Sequence, residues 1–561
     1  MSTINLSLPS LRAAVEQIFQ TASRVISLSV RQPIVDLISK IFQSTKKSFF
    51  KDRKFMDTMH LMKKPFHHSI DWFLGDCIIK NESNTKIQKI AIGLLKMGQL
   101  ILALPVWAAA EIVETFVAKD RFCEKLSFPS FDEKSTCLKS KEALLLGTST
   151  STFQTTSDPN FCKPSAMQNF LESKGIQTKL GVDVLTEEGR NLTLEYLKRL
   201  HANAFRFSIE WVDVQKNGLD RYKQAIRFFH QNNIRVVITL DHWLGDGGIY
   251  TFEKPEKIDE FVDFCAEVYN KTYPYVDAFI TFNEPAVDGA QKYILKALPP
   301  NQLARFWSHI HLVQNKVRAH KKICNRIHTI QSKADKKVPI GISHQAMYML
   351  PNSRFNYLAR VAAYVLNYIF HKSFFKIVHQ NNALEKTDFI GVQFYSRPVV
   401  GRNGIIPVTS IAPKSPLYPD PFLLKAMQYR FDPFGIFHAL QDVFQRTNKP
   451  LLITETGVPG QINLEKTSPS THSLNDSEFR KQQYYEKSMQ AVQHAQNSNI
   501  PILGVLFWTL FDNLEWQHGY DPECSFGILA RDPKSGKVRT TAGFETIRDI
   551  FQRSRKSQIL S

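Results

Sequence analysis

From about residue 140 onward the chain repeats one pattern of apolar and polar positions. A short run of apolar and β-branched residues ends in polar side chains, a loop follows, and then comes a stretch with apolar residues at helical spacing. The short runs, 143–148, 204–209, 235–240, 278–282, 338–344, 389–394, 451–454 and 502–508, predict strands. The stretches 192–200, 220–231, 258–270 and 480–496 predict helices between them. Repeated strand–helix units argue for an α/β protein, a (β/α)8 TIM barrel over residues 140–561, with its functional groups at the carboxyl ends of the strands. An open doubly wound sheet is the alternative, but no glycine-rich phosphate loop follows the first strand.

Residues 1–139 follow other rhythms and predict a basic, mainly helical extension ending in a linker from about residue 121. Leu11, Val15, Ile18, Val25, Ile26, Val30, Ile34, Leu37 and Ile41 carry helical spacing, and Lys46 to Lys54 form a basic, aromatic-spiked stretch. The run from Ile90 to Ala110 is nearly all apolar, but its uncharged core begins only at Met97. That core falls short of the roughly 20 residues a spanning helix needs. Two readings stay open for residues 46–110: a helical appendage with its own core, or a segment lying on a membrane surface with basic residues drawn to anionic lipid.

Reading only the strand ends gives a coherent set of side chains. The first strand offers Gln154 and the second Arg206. The third offers His242 and Trp243, and the fourth ends in Thr281-Phe282-Asn283-Glu284-Pro285, where proline stops the ladder. The sixth ends in Gln393-Phe394-Tyr395, the seventh in Thr454-Glu455-Thr456-Gly457, and the eighth runs from Trp508 through Glu515 to Trp516. Two carboxyl groups on different strand ends facing one cleft suit hydrolysis of a glycosidic bond. Amides, a histidine and indoles around them suit a sugar, whose hydroxyls take hydrogen bonds and whose apolar faces stack on rings.

Composition narrows the field. The chain is 43% hydrophobic and 12% aromatic, which excludes a disordered protein. Its formal charge of +19 raises an anionic partner. Lys and Arg are spread along the whole chain with acidic residues between them, and no RNA-recognition or zinc-finger pattern accompanies them, so nucleic acid is not an expected partner. Seven cysteines at irregular spacing make no paired framework and are expected as free thiols in a reducing compartment. With no secretory pattern at the start, a cytoplasmic location follows, with membrane association if the extension meets lipid. No metal-ligand motif such as HExxH occurs, and neither a metal nor another cofactor is expected.

The five blocks taken together resemble glycoside hydrolase family 1, the β-glucosidase and β-galactosidase family of retaining enzymes. The family's TFNEP motif stands unaltered at Thr281 to Pro285. Its I/V-T-E-N-G motif is Ile453-Thr454-Glu455-Thr456-Gly457, and its W-S-L-x-D-N-F-E-W motif is Trp508-Thr509-Leu510-Phe511-Asp512-Asn513-Leu514-Glu515-Trp516. Arg206 sits in an R-F-S motif, and the His242-Trp243 pair is in order. The resemblance implies that Glu284 is the general acid/base and Glu455 the nucleophile, with Arg206 and Tyr395 favouring the ionised form of Glu455. It implies Asn283 on the sugar 2-hydroxyl, Gln154, His242, Glu515 and Trp516 around the first sugar, and Trp508 as its floor. A carboxylate at Glu515 would repel a phosphorylated sugar, so an unphosphorylated β-linked glycoside or oligosaccharide is the expected partner.

The chain also departs from the family. Leu244-Gly245-Asp246 replaces Asp-Leu-Pro after Trp243, Gln393 stands where Asn is common, and Tyr429 aligns with an entrance tryptophan. These changes leave open the aglycone, and whether the sugar passes to water or to another alcohol. A membrane-associated binding or effector protein with a catalytically weakened barrel is the remaining alternative. The identity of the first sugar and the oligomeric state are not legible.

Overall fold

The computed structural model describes residues 136–138, 143–351, 356–401, 404–405, 431–460, 477–516, 518–532 and 535–560. Residues 46–110, with their two open readings, and Tyr429 lie outside the described residues, as does the N-terminal extension apart from Thr136, Cys137 and Leu138. Those three residues lie on the barrel, where Leu138 is fully buried and its amide donates to Ser554 at 3.0 Å. Among the described residues no helix is long and apolar enough to cross a membrane.

Eight strands close into a barrel: β1 Leu145–Ser149, β2 Ala204–Ser208, β3 Arg235–Thr239, β4 Ala278–Ile280, β5 Ile340–Gln345, β6 Phe389–Phe394, β7 Leu451–Thr456 and β8 Ile502–Trp508. Every strand pairs in parallel with its neighbours in sequence, and β8 pairs back onto β1. Outside them run α1 Glu187–Arg199, α2 Asp220–Gln231, α3 Pro255–Thr272, α4 Phe306–Gln331, α5 Ser373–Gln380, α6 Gly435–Thr447, α7 Ser477–Asn497 and α8 Ala542–Leu560. Local chemistry sets their starts. Thr186 caps α1 by accepting from the Gly189 amide, with Glu187 and Glu188 in the first turn and Lys198 and Arg199 in the last. Pro255 opens α3, where its missing N–H costs nothing.

Alternation along the strands separates the two faces of the wall. Phe205 and Phe207 point outward onto Phe229 of α2, at ring separations of 5.0 and 6.1 Å. Inward, Leu145, Ala204, Val237, Ala278, Ile280, Phe389, Leu452 and Leu506 make an apolar floor. Above that floor the inward positions turn polar: Arg206, Thr239, Ser343, Gln393 and Thr454 are all buried. The barrel is thus a packed core below and a polar cup at the carboxyl ends.

Two strand boundaries differ from the predicted ones in ways that matter. β4 ends at Ile280, because Thr281 turns to His320 of α4 (2.8 Å) and Phe282 packs on Phe261 of α3 (5.3 Å). Backbone pairing to β5 nonetheless continues, with the Ser343 amide donating to the Phe282 carbonyl (3.1 Å) and the Glu284 amide to the Ser343 carbonyl (3.0 Å). β7 runs two residues further than expected and shifts register between Ile453 and Glu455. Strict alternation would send Thr454 and Glu455 to opposite faces. The irregularity lets Thr454 meet Ser343 across the interior (3.2 Å) while Glu455 also faces the cup.

Barrel closure also depends on Gly147. A Cβ there would lie 1.7 Å from the Ala204 carbonyl oxygen of the paired strand. Gly147→Ala is expected to lower stability by about 3 kcal/mol or more, the upper end of ordinary overpacking, as read from the urea midpoint.

Candidate active site

The polar cup is organised by a fully buried guanidinium. Arg206 at the end of β2 donates through Nε to Thr239 (2.9 Å), through one terminal nitrogen to Glu455 (2.6 Å) and through the other to Asn283 (2.6 Å). One buried cation thus fixes side chains from β3, β7 and the loop after β4. Gln393 of β6 adds donations to Asn283 Oδ1 (2.6 Å) and Glu455 Oε1 (2.7 Å), and the Tyr395 hydroxyl donates to Glu455 Oε2 (2.6 Å). Glu455 is therefore held by a guanidinium, an amide and a phenol. Glu284, at the N-terminus of the helix Pro285–Tyr293, has left-handed backbone (φ 45°), an uncommon and strained setting for a glutamate.

Asn283 orients the histidine. Its oxygen is taken by Arg206 and Gln393, so its amide nitrogen faces His242 Nε2 at 3.3 Å and donates to it. That leaves the imidazole proton on Nδ1, a buried donor without a protein partner. Burial, then the positive charges of Arg206 and Lys316, hold the His242 pKa well below its usual value, so the ring is neutral. Gln154 donates to the Leu514 carbonyl (2.7 Å), and its own oxygen is unpartnered, as are Glu284 Oε1 and Gln393 Oε1. Buried polar atoms are ordinarily satisfied. Several unpaired ones converging on one cup match a ligand that brings its own hydroxyls.

The walls are aromatic. Trp516 stacks on Trp243 (5.0 Å) and Phe153 (5.8 Å), and His242 stacks on Trp508 (5.9 Å). The Trp508 indole N–H donates to Glu515 at 3.2 Å, and the Trp243 N–H donates to the Asn283 carbonyl at 3.0 Å. Hydrogen bonds, ring stacking and electrostatic coupling thus join Gln154, Arg206, His242, Trp243, Asn283, Glu284, Tyr395, Glu455, Trp508, Glu515 and Trp516 in one place.

The carboxyl groups form one electrostatic unit. Burial, and then the charge of Glu455, push the Glu284 carboxyl well above the ordinary range. Burial also raises Glu455, but Arg206 and the Tyr395 hydroxyl oppose the rise. Glu284 has no donor on Oε1 to stabilise its anion, so it is the member of the pair that keeps its proton. Burial raises Glu515 to about 8, against the Trp508 hydrogen bond. Among the described residues no group of three His, Cys, Asp or Glu side chains is arranged to hold a metal ion.

These carboxyls, amides and indoles stand at strand ends in the order of a known family. Its sequence profile, Glycosyl hydrolase family 1, matches residues 141–383 and 377–542. The chain belongs to glycosyl hydrolase family 1. Among relatives of this family, the chain is 25% identical over 351 residues to the Arabidopsis thaliana protein named galactolipid galactosyltransferase SFR2, chloroplastic, covering 58% of this chain and 49% of that one. It is 27% identical over 376 residues to the beta-glucosidase-like SFR2, chloroplastic, of Oryza sativa subsp. japonica, covering 62% and 52%. The chain thus matches about half the length of these two relatives. A 1,4-beta-D-glucan glucohydrolase of Thermotoga neapolitana is 24% identical over 61% of this chain and 85% of its own length. The family fold recurs in the solved beta-glucosidase of Pyrococcus furiosus, at TM-score 0.58 and 19% identity over 74% of this chain and 97% of that one.

Two supports of this family 1 cup were not among the expected site residues. Gln393 was legible only as a departure from Asn, yet it touches both Glu455 and Asn283. Lys316 of α4 is fully buried 2.7 Å from Asp241 and 2.8 Å from Asp288. Asp241 precedes His242, and Asp288 lies one helical turn past Glu284. Lys292 completes the cluster, 2.9 Å from Asp288 and 3.2 Å from the Trp243 carbonyl oxygen. The signal in the sequence was a lysine inside the apolar stripe His309, Val313, Val317, His320 and Cys324. Burial opposes the charge on Lys316, but Asp241 and Asp288 outweigh it and raise its pKa. Lys316→Met strands two buried carboxylates and is expected to cost about 3–5 kcal/mol in urea denaturation. Adding Asp241→Asn and Asp288→Asn to that variant is expected to recover part of the loss.

Proposed function

We propose that the chain is a retaining β-glycosidase that opens O-β-glycosides of an unphosphorylated sugar by double displacement. The observation that carries this reading is the asymmetry of the two carboxyls: Glu455 is held by three donors, and Glu284 is buried beside it without a donor on Oε1. In the first step Glu455 attacks the anomeric carbon while Glu284 gives its proton to the departing oxygen. Asn283 meets the 2-hydroxyl, the Nδ1–H of His242 and the free oxygen of Gln154 take other hydroxyls, and the Trp508 face carries the ring. Once Glu455 is esterified its charge is gone, and the pKa of Glu284 falls. Glu284 can then take a proton from the incoming nucleophile.

A second reading concerns that nucleophile. The same residues transfer the sugar to an alcohol when a hydroxyl-bearing acceptor outcompetes water at the ester. Similarity to a protein named galactolipid galactosyltransferase favours it. So do the departures at Leu244, Gly245 and Asp246, which alter the surroundings of the first-sugar site and leave both catalytic glutamates in place, and the departure at Gln393, which bonds Glu455 directly. Product analysis separates the two: free sugar from hydrolysis, a lengthened glycolipid from transfer on a galactolipid. A reducing compartment belongs to the same proposal, supported by Cys137, Cys162, Cys265 and Cys324, which stand as free thiols among the described residues.

With an activated aryl β-glycoside, Glu284→Ala is expected to form the glycosyl–enzyme and stall, with turnover restored by azide. Glu455→Ala is expected to lose turnover by several orders of magnitude, on the order of 10⁴-fold or more, without added nucleophile. Mass spectrometry of the trapped ester and release of aryl alcohol measure both. Turnover by Glu455→Ala without added nucleophile contradicts the retaining mechanism.

A further inference from the structure

The large apolar side chains that the barrel leaves exposed are not scattered. Among the described residues they are Ile249, Tyr250, Leu295, Leu303, Trp307 and Leu358, and they fall in the segments that follow β3, β4 and β5. Those strands are neighbours, so one flank of the rim at the carboxyl ends carries all six. The segments are tied together. Leu295 bridges Leu303, the Arg305 amide donates to the Tyr293 carbonyl at 2.7 Å, and the Tyr293 hydroxyl bonds Glu253, just past Tyr250. Ile294 and Phe306 pack in one cluster with Ala362 and Leu366, on the helix Tyr357–Asn367 that bears Leu358. Leu303 is 65% exposed and Trp307 55%, on a flank whose cluster is otherwise packed.

The charge around this flank is basic on the segment after β4, where Lys292, Lys296 and Arg305 follow Asp288 with no further acid before α4, and mixed on the segment after β3, where Lys254 stands among Asp246, Glu253 and Glu256. Lys254, Lys296 and Arg305 are exposed beside the apolar residues. Large exposed apolar side chains gathered on one flank beside exposed cations mark an interaction surface rather than ordinary scatter. Its chemistry complements an anionic lipid surface, with apolar residues entering the headgroup boundary, an indole at the interface and cations meeting phosphates.

We propose that the rim formed by the segments after β3, β4 and β5 docks on an anionic lipid surface, with the mouth of the cup beside it. The same segments supply Trp243 and Glu284, so a docked rim brings glycosides carried by the lipid surface close to the catalytic pair. This docking is separate from residues 46–110 and stands whether the sugar passes to water or to an alcohol.

Trp307 provides a local probe. Trp211, Trp243 and Trp508 are buried and Trp516 is half-buried, while Trp72 and Trp107 lie outside the described residues. The full chain is mixed with vesicles containing brominated phosphatidylglycerol, and its tryptophan quenching is compared with that of Trp307→Phe. The expected result is strong quenching of the parent and loss of the share of one exposed indole in Trp307→Phe, with aryl-glycoside turnover unchanged. Brominated phosphatidylcholine alone is expected to quench at least about fivefold less at equal lipid, since the exposed cations then have no partner charge. Equal quenching in parent and variant overturns the proposal: the contact then lies elsewhere, or the patch is covered by a second copy or by the chain's own extension. Equal quenching by neutral and anionic lipid overturns it as well.

Discussion

A charged guanidinium sealed inside a barrel is unstable unless its donors are taken up, and that requirement shapes the polar cup at the carboxyl ends of the strands. Arg206 is fully buried. Its donors reach Thr239, Asn283, Glu455 and the Thr454 carbonyl, on β3, the loop after β4, and β7. Removing any one of these partners leaves a buried charge or donor unpaired, which costs more than the net strength of the contact. The cup is thus rigid for an electrostatic reason as well as through packing. Its rigidity passes to His242 through Asn283, and Gln393 closes the remaining gap between Asn283 and Glu455.

The same pair divides the labour between the carboxyls. Burial alone would protonate both. Arg206 and Tyr395 spend their donors on Glu455 and not on Glu284, so the negative charge rests on one carboxyl and the proton on the other. The Lys316 cluster works one layer further out. It ties Asp241, before His242, to Asp288, after Glu284, so these two corners of the cup cannot drift apart independently. Trp243 and Glu284 both sit in left-handed backbone, conformations that persist only where the surroundings over-determine them.

Much of this was legible in the sequence because it rests on local rules. Apolar runs ending in polar residues gave eight strands close to those observed, and the strand ends held Arg206, Asn283, Glu284, Tyr395 and Glu455. What escaped depends on three dimensions. The register shift in β7 that turns Glu455 inward has no mark in the linear pattern, since a bulge shows only against a partner strand. Gln393 looked like a substitution for Asn because its second contact, to Asn283, comes from another strand. Lys316 stands within the inward stripe of α4, but the carboxylates that hold it, Asp241 and Asp288, come from other segments and pair with it only in the folded barrel. The exposed rim was hidden because its six side chains come from three segments that meet only when the barrel closes.

The central claim is that burial, reinforced by the negative charge of Glu455, keeps the proton on Glu284. Its most direct test is the protonated-carboxyl stretch of Glu284, followed with pH by infrared difference spectroscopy against Glu284→Gln. In the native protein the carboxyl is expected to titrate well above the ordinary range. In a Glu455→Gln background, where burial remains and the charge is gone, the midpoint is expected to move down toward that range. A midpoint in the ordinary range in the native protein, or one that does not move when Glu455 is neutralised, would contradict it.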